Sequence, residues 1–151
     1  MKNDRWRYAT GSIEAVVDGG VSMLTVSGYI ALPDVEQAVA SNARWLDEVG
    51  ALGQIIDIRA MSAGFTARQA FDAVRLFVAR GRRTGMPTAF IVPGGVMRPV
   101  TVYCLLMAQL GVSRAAFQTP PEALAWVLLR LARPARTRGA RTATGSSASL
   151  V

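Results

Sequence analysis

The residues whose types and spacing could do chemistry are concentrated in one stretch, DIRAMSAGFTARQA, from Asp57 to Ala70. It carries an acid, two bases and two hydroxyls within a dozen positions. Two readings of Thr66 follow. Thr66-Ala67-Arg68-Gln69 has the Thr-x-x-Gln form of a capping box, which would start a helix by satisfying its first free N–H groups. A helix start also presents a positive dipole end, so a phosphate on Thr66 would be stabilised there, and Arg59 or Arg98 could pair with it. Ser62 is a second, weaker phosphoacceptor candidate. Asp57, Arg59, Gly94, Gly95 and Arg98 are candidates for binding a partner, because they fall in the loops that follow two buried strands, where open parallel sheets form their sites.

The remaining chemistry is excluded by residue type. There is no histidine, which removes the usual general base, the commonest metal ligand and the Ser-His and Cys-His pairs. Cys104 lies within an apolar helical stretch with no activating neighbour, so it reads as a core thiol. The acids are scattered rather than grouped as metal ligands would be. The sequences DGG and PGG lack the Lys-Ser/Thr of a phosphate loop. No catalytic residue, metal or cofactor is therefore assigned, and a non-enzymatic role is expected.

The elements that must position Thr66 and its neighbours can be read in order. The segment SIEAVVDGGVSMLTVSGYI is two β-rich runs split at Asp18-Gly19-Gly20, a hairpin. Val35, Ala38, Val39, Asn42, Leu46 and Val49 recur at helical spacing, with Gly50 closing that helix. GQIIDIRA is a strand buried on both faces. A second helix is expected from about Thr66 to Arg83, with Ala67, Ala70, Phe71, Val74, Phe77 and Val78 turned to the core. TAFIVPGG gives another buried strand, PVTVYCLLMAQLG an apolar helix and RAAFQ a short final strand. Thr119-Pro120-Pro121-Glu122 is a second capping box, opening the helix ALAWVLLRLA. The order ββαβαβαβα predicts an α/β fold: a mostly parallel sheet of about five strands with an antiparallel edge strand, flanked by four helices.

Composition bounds the rest. The chain has 151 residues, enough for one packed domain without staples. Hydrophobic residues make up 51% and the mean hydropathy is +0.28, yet no apolar run reaches the roughly 18 residues of a membrane span. The surplus of apolar side chains on the last two helices, Tyr103, Leu106, Met107, Trp126 and Leu129 among them, suggests either a homodimer contact or a site for an apolar, lipid-like ligand. A single cysteine and no leader-like start fit a cytoplasmic chain. Net charge is +7, but four arginines fall in residues 133–151, expected to be a disordered basic tail. Four arginines without interleaved aromatics argue against nucleic acid as the partner. The expected organisation is an N-terminal extension over 1–7, the α/β domain over 8–132, and the tail.

Taken together, the hairpin entry, GYIALPD before the first helix, IIDIRAMS, the helix starting at Thr66, TAFIVPGG and AAFQTPPEALAWV resemble the STAS superfamily of anti-sigma-factor antagonists. Within it they look most like the bacterial subgroup of small, stand-alone proteins related to the sporulation-type antagonists. The resemblance spans about Tyr8 to Leu131. It implies a fold of five strands and four helices, and a regulatory protein that binds other proteins. In the sporulation branch a Ser or Thr at the start of the second helix is phosphorylated by a partner kinase, which blocks binding to that kinase. That position carries over to Thr66. The branch motif Asp-Ser-Ser-Gly is matched here by Phe65-Thr66-Ala67-Arg68, with one hydroxyl.

Overall fold

The structure, a computed structural model, describes residues 2–30, 32–62, 66–79 and 85–132. These form strands β1 (Lys2–Arg7), β2 (Gly11–Asp18), β3 (Val21–Gly28), β4 (Gly53–Met61), β5 (Thr88–Ile91) and β6 (Arg114–Phe117), and helices α1 (Leu32–Val49), α2 (Ala67–Ala79), α3 (Met97–Gln109) and α4 (Pro120–Ala132). They make one mixed sheet in the order β1-β2-β3-β4-β5-β6. Pairing is antiparallel from β1 to β3 and parallel from β3 to β6. The expected α/β architecture is therefore present, with six strands rather than five.

The additional strand is β1, within the residues expected to be an N-terminal extension. Its sequence KNDRWR has no hydrophobic alternation, and all its residues but Trp6 are exposed. An edge strand with one neighbour needs only backbone pairing and one anchoring side chain, and Trp6 supplies that by packing against the α1 core. The hairpin between β2 and β3 turns at Gly19 and Gly20, with φ of 54° and 79°, the two left-handed positions of a type I′ turn.

Strand order follows chain order, so each parallel crossover steps the same way across the sheet. Right-handed crossovers then place α1, α2 and α3 on one face. Ala38, Trp45 and Leu46 of α1 pack on Ile13, Ala15, Leu24 and Val26 of the hairpin. Ala70 of α2 and Val100, Tyr103, Cys104 and Met107 of α3 share a second cluster with Val92 and Val112, and Ile58 touches both clusters. The opposite face belongs to α4, whose Ala123 and Val127 cover Val21, Ile55, Ala89 and Ile91.

Three details differ from the expected core. Trp45 is buried and its Nε1 donates to the buried Ser22 Oγ at 3.2 Å, so an indole occupies the inner side of α1 that the apolar stripe alone did not single out. Asn42, on that stripe, exchanges hydrogen bonds with the buried Gln54 (2.9 and 3.4 Å), tying α1 to β4. On α2 the inward side is Ala70, Ala73 and Val74, while Ala67, Phe71 (52% exposed) and Val78 face solvent. Ala70 and Ala73 let α3 approach closely, and Phe71 and Val78 are left at the surface. The continuation of this helix to Arg83, the side chain of Phe77 and the basic tail lie outside the described residues.

A close seat in the sheet lies under α4. A Cβ added to Gly53 would lie 2.6 Å from Val127 Cγ1 and 3.4 Å from Leu131 Cδ1. Val127 is fully buried and β-branched, so it has no free rotamer into which to retreat. Gly53→Ala is expected to lower stability by about 1–3 kcal/mol through overpacking. Urea unfolding checks this, and Val127→Ala in the Gly53→Ala background should cost less than the sum of the two single changes.

Candidate functional site

The candidate residues are assembled by the way β4 ends. β5 stops at Ile91, which pairs with Asp57, but β4 runs on to Met61 beside β3 alone. Between Thr25 and Ser27 of β3 the register slips, Thr25 facing Asp57 and Ser27 facing Ala60. Such a bulge re-aims the side chains next to it. Here it accompanies Arg59 folding back on Asp57. Arg59 Nε and Nη2 reach the two carboxylate oxygens at 3.0 and 2.7 Å, and the Arg59 backbone N–H donates to Asp57 Oδ1 at 3.0 Å. Asp57 is mostly buried and Arg59 half-exposed. Burial pushes the Asp57 carboxyl up. The side-chain and backbone hydrogen bonds from Arg59, with its charge, outweigh that and hold it below the ordinary carboxylate value. The Arg59 guanidinium is correspondingly raised by the hydrogen bond to Asp57.

Thr66 stands just before α2 and forms the complete capping box. Its Oγ1 accepts from the Gln69 N–H at 3.2 Å, and its own N–H donates to Gln69 Oε1 at 2.8 Å. The hydroxyl also donates to Gln69 Oε1 at 3.0 Å. Thr66 is thus the helix cap, and it is exposed. Ser62 is exposed as well, its N–H donating to Gly28 O at the end of β3. Gly94 and Gly95 form an exposed 3-10 turn that leads into α3, and Arg98 is the exposed second residue of that helix.

These groups gather at the carboxyl end of the parallel strands, but not in a crevice. A crevice of the expected kind needs a point at which strand order reverses, so that neighbouring crossovers lie on opposite faces. Order never reverses here, and the site is an open rim. Along it Arg59 is bound to Asp57 and Thr66 to Gln69. No hydrogen bond joins Thr66 to Arg59 or Arg98 among the described residues. Sequence reasoning did not foresee the Asp57–Arg59 fork, because two residues apart on a regular strand share a face without such backbone closure. It also passed over Gln118, whose Nε2 lies 3.6 Å from where a Cβ on Gly94 would be, linking the Gly94 turn to the start of α4.

Of the apolar candidates, Tyr103 and Met107 lie in the core, 7% and 0% exposed. Tyr103 packs edge-on to Phe90, and Arg114 lies over both rings. The apolar surplus of α3 is absorbed there by contact with α2 and the sheet. Burial also raises the Cys104 thiol to about 11, away from any nucleophilic range at neutral pH. Leu106 and Trp126 are half-buried, and Leu129 is exposed. A cavity of about 200 Å³ opens between β1 and α1, lined by Asp4, Trp6, Ser41, Arg44, Trp45 and Glu48, a polar set that does not suit a lipid-like ligand. Among the described residues no group of three or more His, Cys, Asp or Glu could hold a metal ion, and no helix is long and apolar enough to cross a membrane.

No protein-family model matches the chain, and no curated protein matches it in sequence. Its structure is similar to the crystal structure of an anti-sigma factor antagonist from Mycobacterium paratuberculosis, with a TM-score of 0.52 and 20% identity over 79% of this chain and 95% of that one. At that identity the likeness is one of architecture: the chain has the fold of that anti-sigma factor antagonist.

Proposed function

We propose that this chain is a non-enzymatic regulatory module that binds a protein partner through the rim formed by Arg59, Thr66, Gly94, Gly95 and Arg98, with Asp57 holding Arg59 in place. The supporting observation is an exposed hydroxyl at a helix start, in a fold shared with an anti-sigma factor antagonist. The rim offers two exposed cations, two glycines without side-chain bulk and one modifiable hydroxyl. That set suits recognition of a protein surface and its control by phosphate. It offers no paired nucleophile and base. Phosphorylation of Thr66 would add negative charge at the first turn of α2 while leaving an oxygen to accept from Gln69, so the helix would persist and the rim would change sign. Ser62 is the alternative acceptor on the same rim.

The test is partner capture by the purified chain from extracts of its own source, with peptide mapping across residues 57–75. Wild type and Thr66→Ser should retain the same protein, Arg98→Ala and Thr66→Glu should lose most of it, and a phosphate should map to Thr66. Equal capture by all four forms would remove the rim from partner binding. Independently of any partner, Thr66→Ala is expected to lower stability by about 0.5–2 kcal/mol in urea unfolding, and Thr66→Ser by less.

Acid titration examines the Asp57–Arg59 pair directly. The Asp57 carboxyl has a lower pKa folded than unfolded, so its contribution is full above the ordinary carboxylate value and is lost as pH falls toward the folded one. Comparing urea midpoints from about pH 5 to about pH 2, Asp57→Asn should flatten part of that decline, and Arg59→Ala should do the same.

A further inference from the structure

The cavity between β1 and α1 belongs to no part of the rim. The register with β2 sets Lys2 opposite Val17, Asp4 opposite Ala15 and Trp6 opposite Ile13, so these three side chains share the face of β1 that looks toward α1. On α1, Ser41, Arg44, Trp45 and Glu48 recur at helical spacing and form one stripe facing them. β1 runs parallel to β3, and α1 returns from the end of β3 in the opposite direction. Lys2 is thereby brought to Glu48, 3.8 Å away, and Trp6 toward Ser41. The space between the two walls is about 200 Å³. Trp45 is the most deeply buried residue lining it, and the bond from its Nε1 to Ser22 Oγ fixes the ring in place.

One end of this groove already holds a cation. The Lys2 ammonium lies 5.5 Å from the Trp45 ring centroid as well as beside the Glu48 carboxylate, so an indole and an acid together bind an ammonium there. The same two groups recur further along as Trp6 and Asp4, two residues apart on β1, but among the described residues no cation pairs with Asp4. One Asp4 oxygen accepts from the Arg5 N–H at 2.7 Å, which leaves the second for a ligand. On the facing wall Arg44 is likewise without an acid partner among the described residues. A carboxylate and a guanidinium thus line one space from opposite sides without meeting. A molecule with an ammonium and a carboxylate of its own would join them.

We propose that this cavity binds a small zwitterion of the α-amino acid type. Its ammonium meets Asp4 beside the Trp6 ring, its carboxylate takes the Arg44 guanidinium and the Ser41 hydroxyl, and Lys2 stays with Glu48. A space of this size holds a few waters, or one such molecule in their place. Charge balance selects the same class: Asp4 and Glu48 offset Lys2 and Arg44, so a ligand of no net charge leaves the site balanced. A lone amine or a lone acid would satisfy one wall and leave the other unpaired. The polar lining favours a small or polar ligand side chain over a long apolar one.

The indole N–H signals of the full chain in heteronuclear NMR read this site directly, because Trp6 and Trp45 line it while Trp126 lies on α4, across the sheet. The probes are L-alanine, L-serine and L-glutamine, each compared with its carboxamide and its N-acetyl derivative. At least one amino acid is expected to move the Trp6 and Trp45 signals with a Kd of about 0.1–10 mM and leave Trp126 still. Its carboxamide and its N-acetyl form should bind more than about tenfold more weakly, each lacking one charge-assisted contact. Arg44→Gln should then bind the amino acid and its carboxamide alike, and Asp4→Asn should bind the amino acid and its N-acetyl form alike. Both positions are exposed, and asparagine keeps the oxygen that accepts from Arg5, so neither urea midpoint should move. Trp6 and Trp45 signals that no amino acid shifts would overturn the proposal. So would blocked derivatives that bind as tightly as the parent, or variants that keep the wild-type preference.

Discussion

The handedness of parallel crossovers governs this molecule more than any single contact. Because strands follow one another across the sheet in chain order, three right-handed crossovers in succession have only one face on which to lay their helices. α1, α2 and α3 share that face and each other's support. α4, the last described element, covers the other face by itself among the described residues. Gly53 reflects this: β4 dispenses with a side chain under Val127 so that a lone helix can sit close enough to seal Ile55, Ala89 and Ile91. The same constraint removes the point of reversal at which open α/β sheets form a ligand crevice, and leaves a rim instead.

On that rim, local chemistry settles what each polar group is doing at rest. The Asp57 carboxylate would be costly in its largely buried position without a partner, and Arg59 supplies three N–H donors through a bulged strand end. Arg59 is therefore oriented rather than free to sweep. Thr66 and Gln69 satisfy each other's N–H groups, which fixes where α2 begins and keeps the Thr66 oxygen at the surface. Capping and modification are compatible uses of one hydroxyl, because the oxygen that accepts from the helix can do so as an alcohol or as a phosphate ester.

How much of this was legible in the sequence depended on whether the signal was local. Ile55, Ile56 and Ile58 announce a strand because β-branched residues suit a sheet covered on both sides, and Thr66 and Gln69 announce a helix start because the capping box is complete within four residues. β1 was illegible since its order comes from backbone pairing with β2, which charge-rich KNDRWR does not encode. The burial of Trp45 depends on Ser22 being opposite it, and the turning outward of Phe71 on how closely α3 approaches Ala70 and Ala73; both are settled between elements. Tyr103 and Met107 were indistinguishable from an interface stripe until the sheet and α2 were seen to enclose them. Around the site, the types of residue were readable and their pairing was not. The sequence predicts Asp57 and Arg59 at the end of the same strand, but their fork accompanies a bulge that no two-residue spacing implies.

The two surfaces left by the fold differ in position as well as chemistry. The rim lies at the carboxyl end of the parallel strands, and α4 begins at that same end, two residues after β6 leaves the sheet. Gln118, between them, approaches the Gly94 turn. Only the start of α4 takes part in that rim, because the helix runs from there across the sheet toward Gly53, where β4 begins, and sets Val127 and Leu131 above it. Changes further along α4 therefore act on the packing over Ile55, Ala89 and Ile91 and leave the rim as it is.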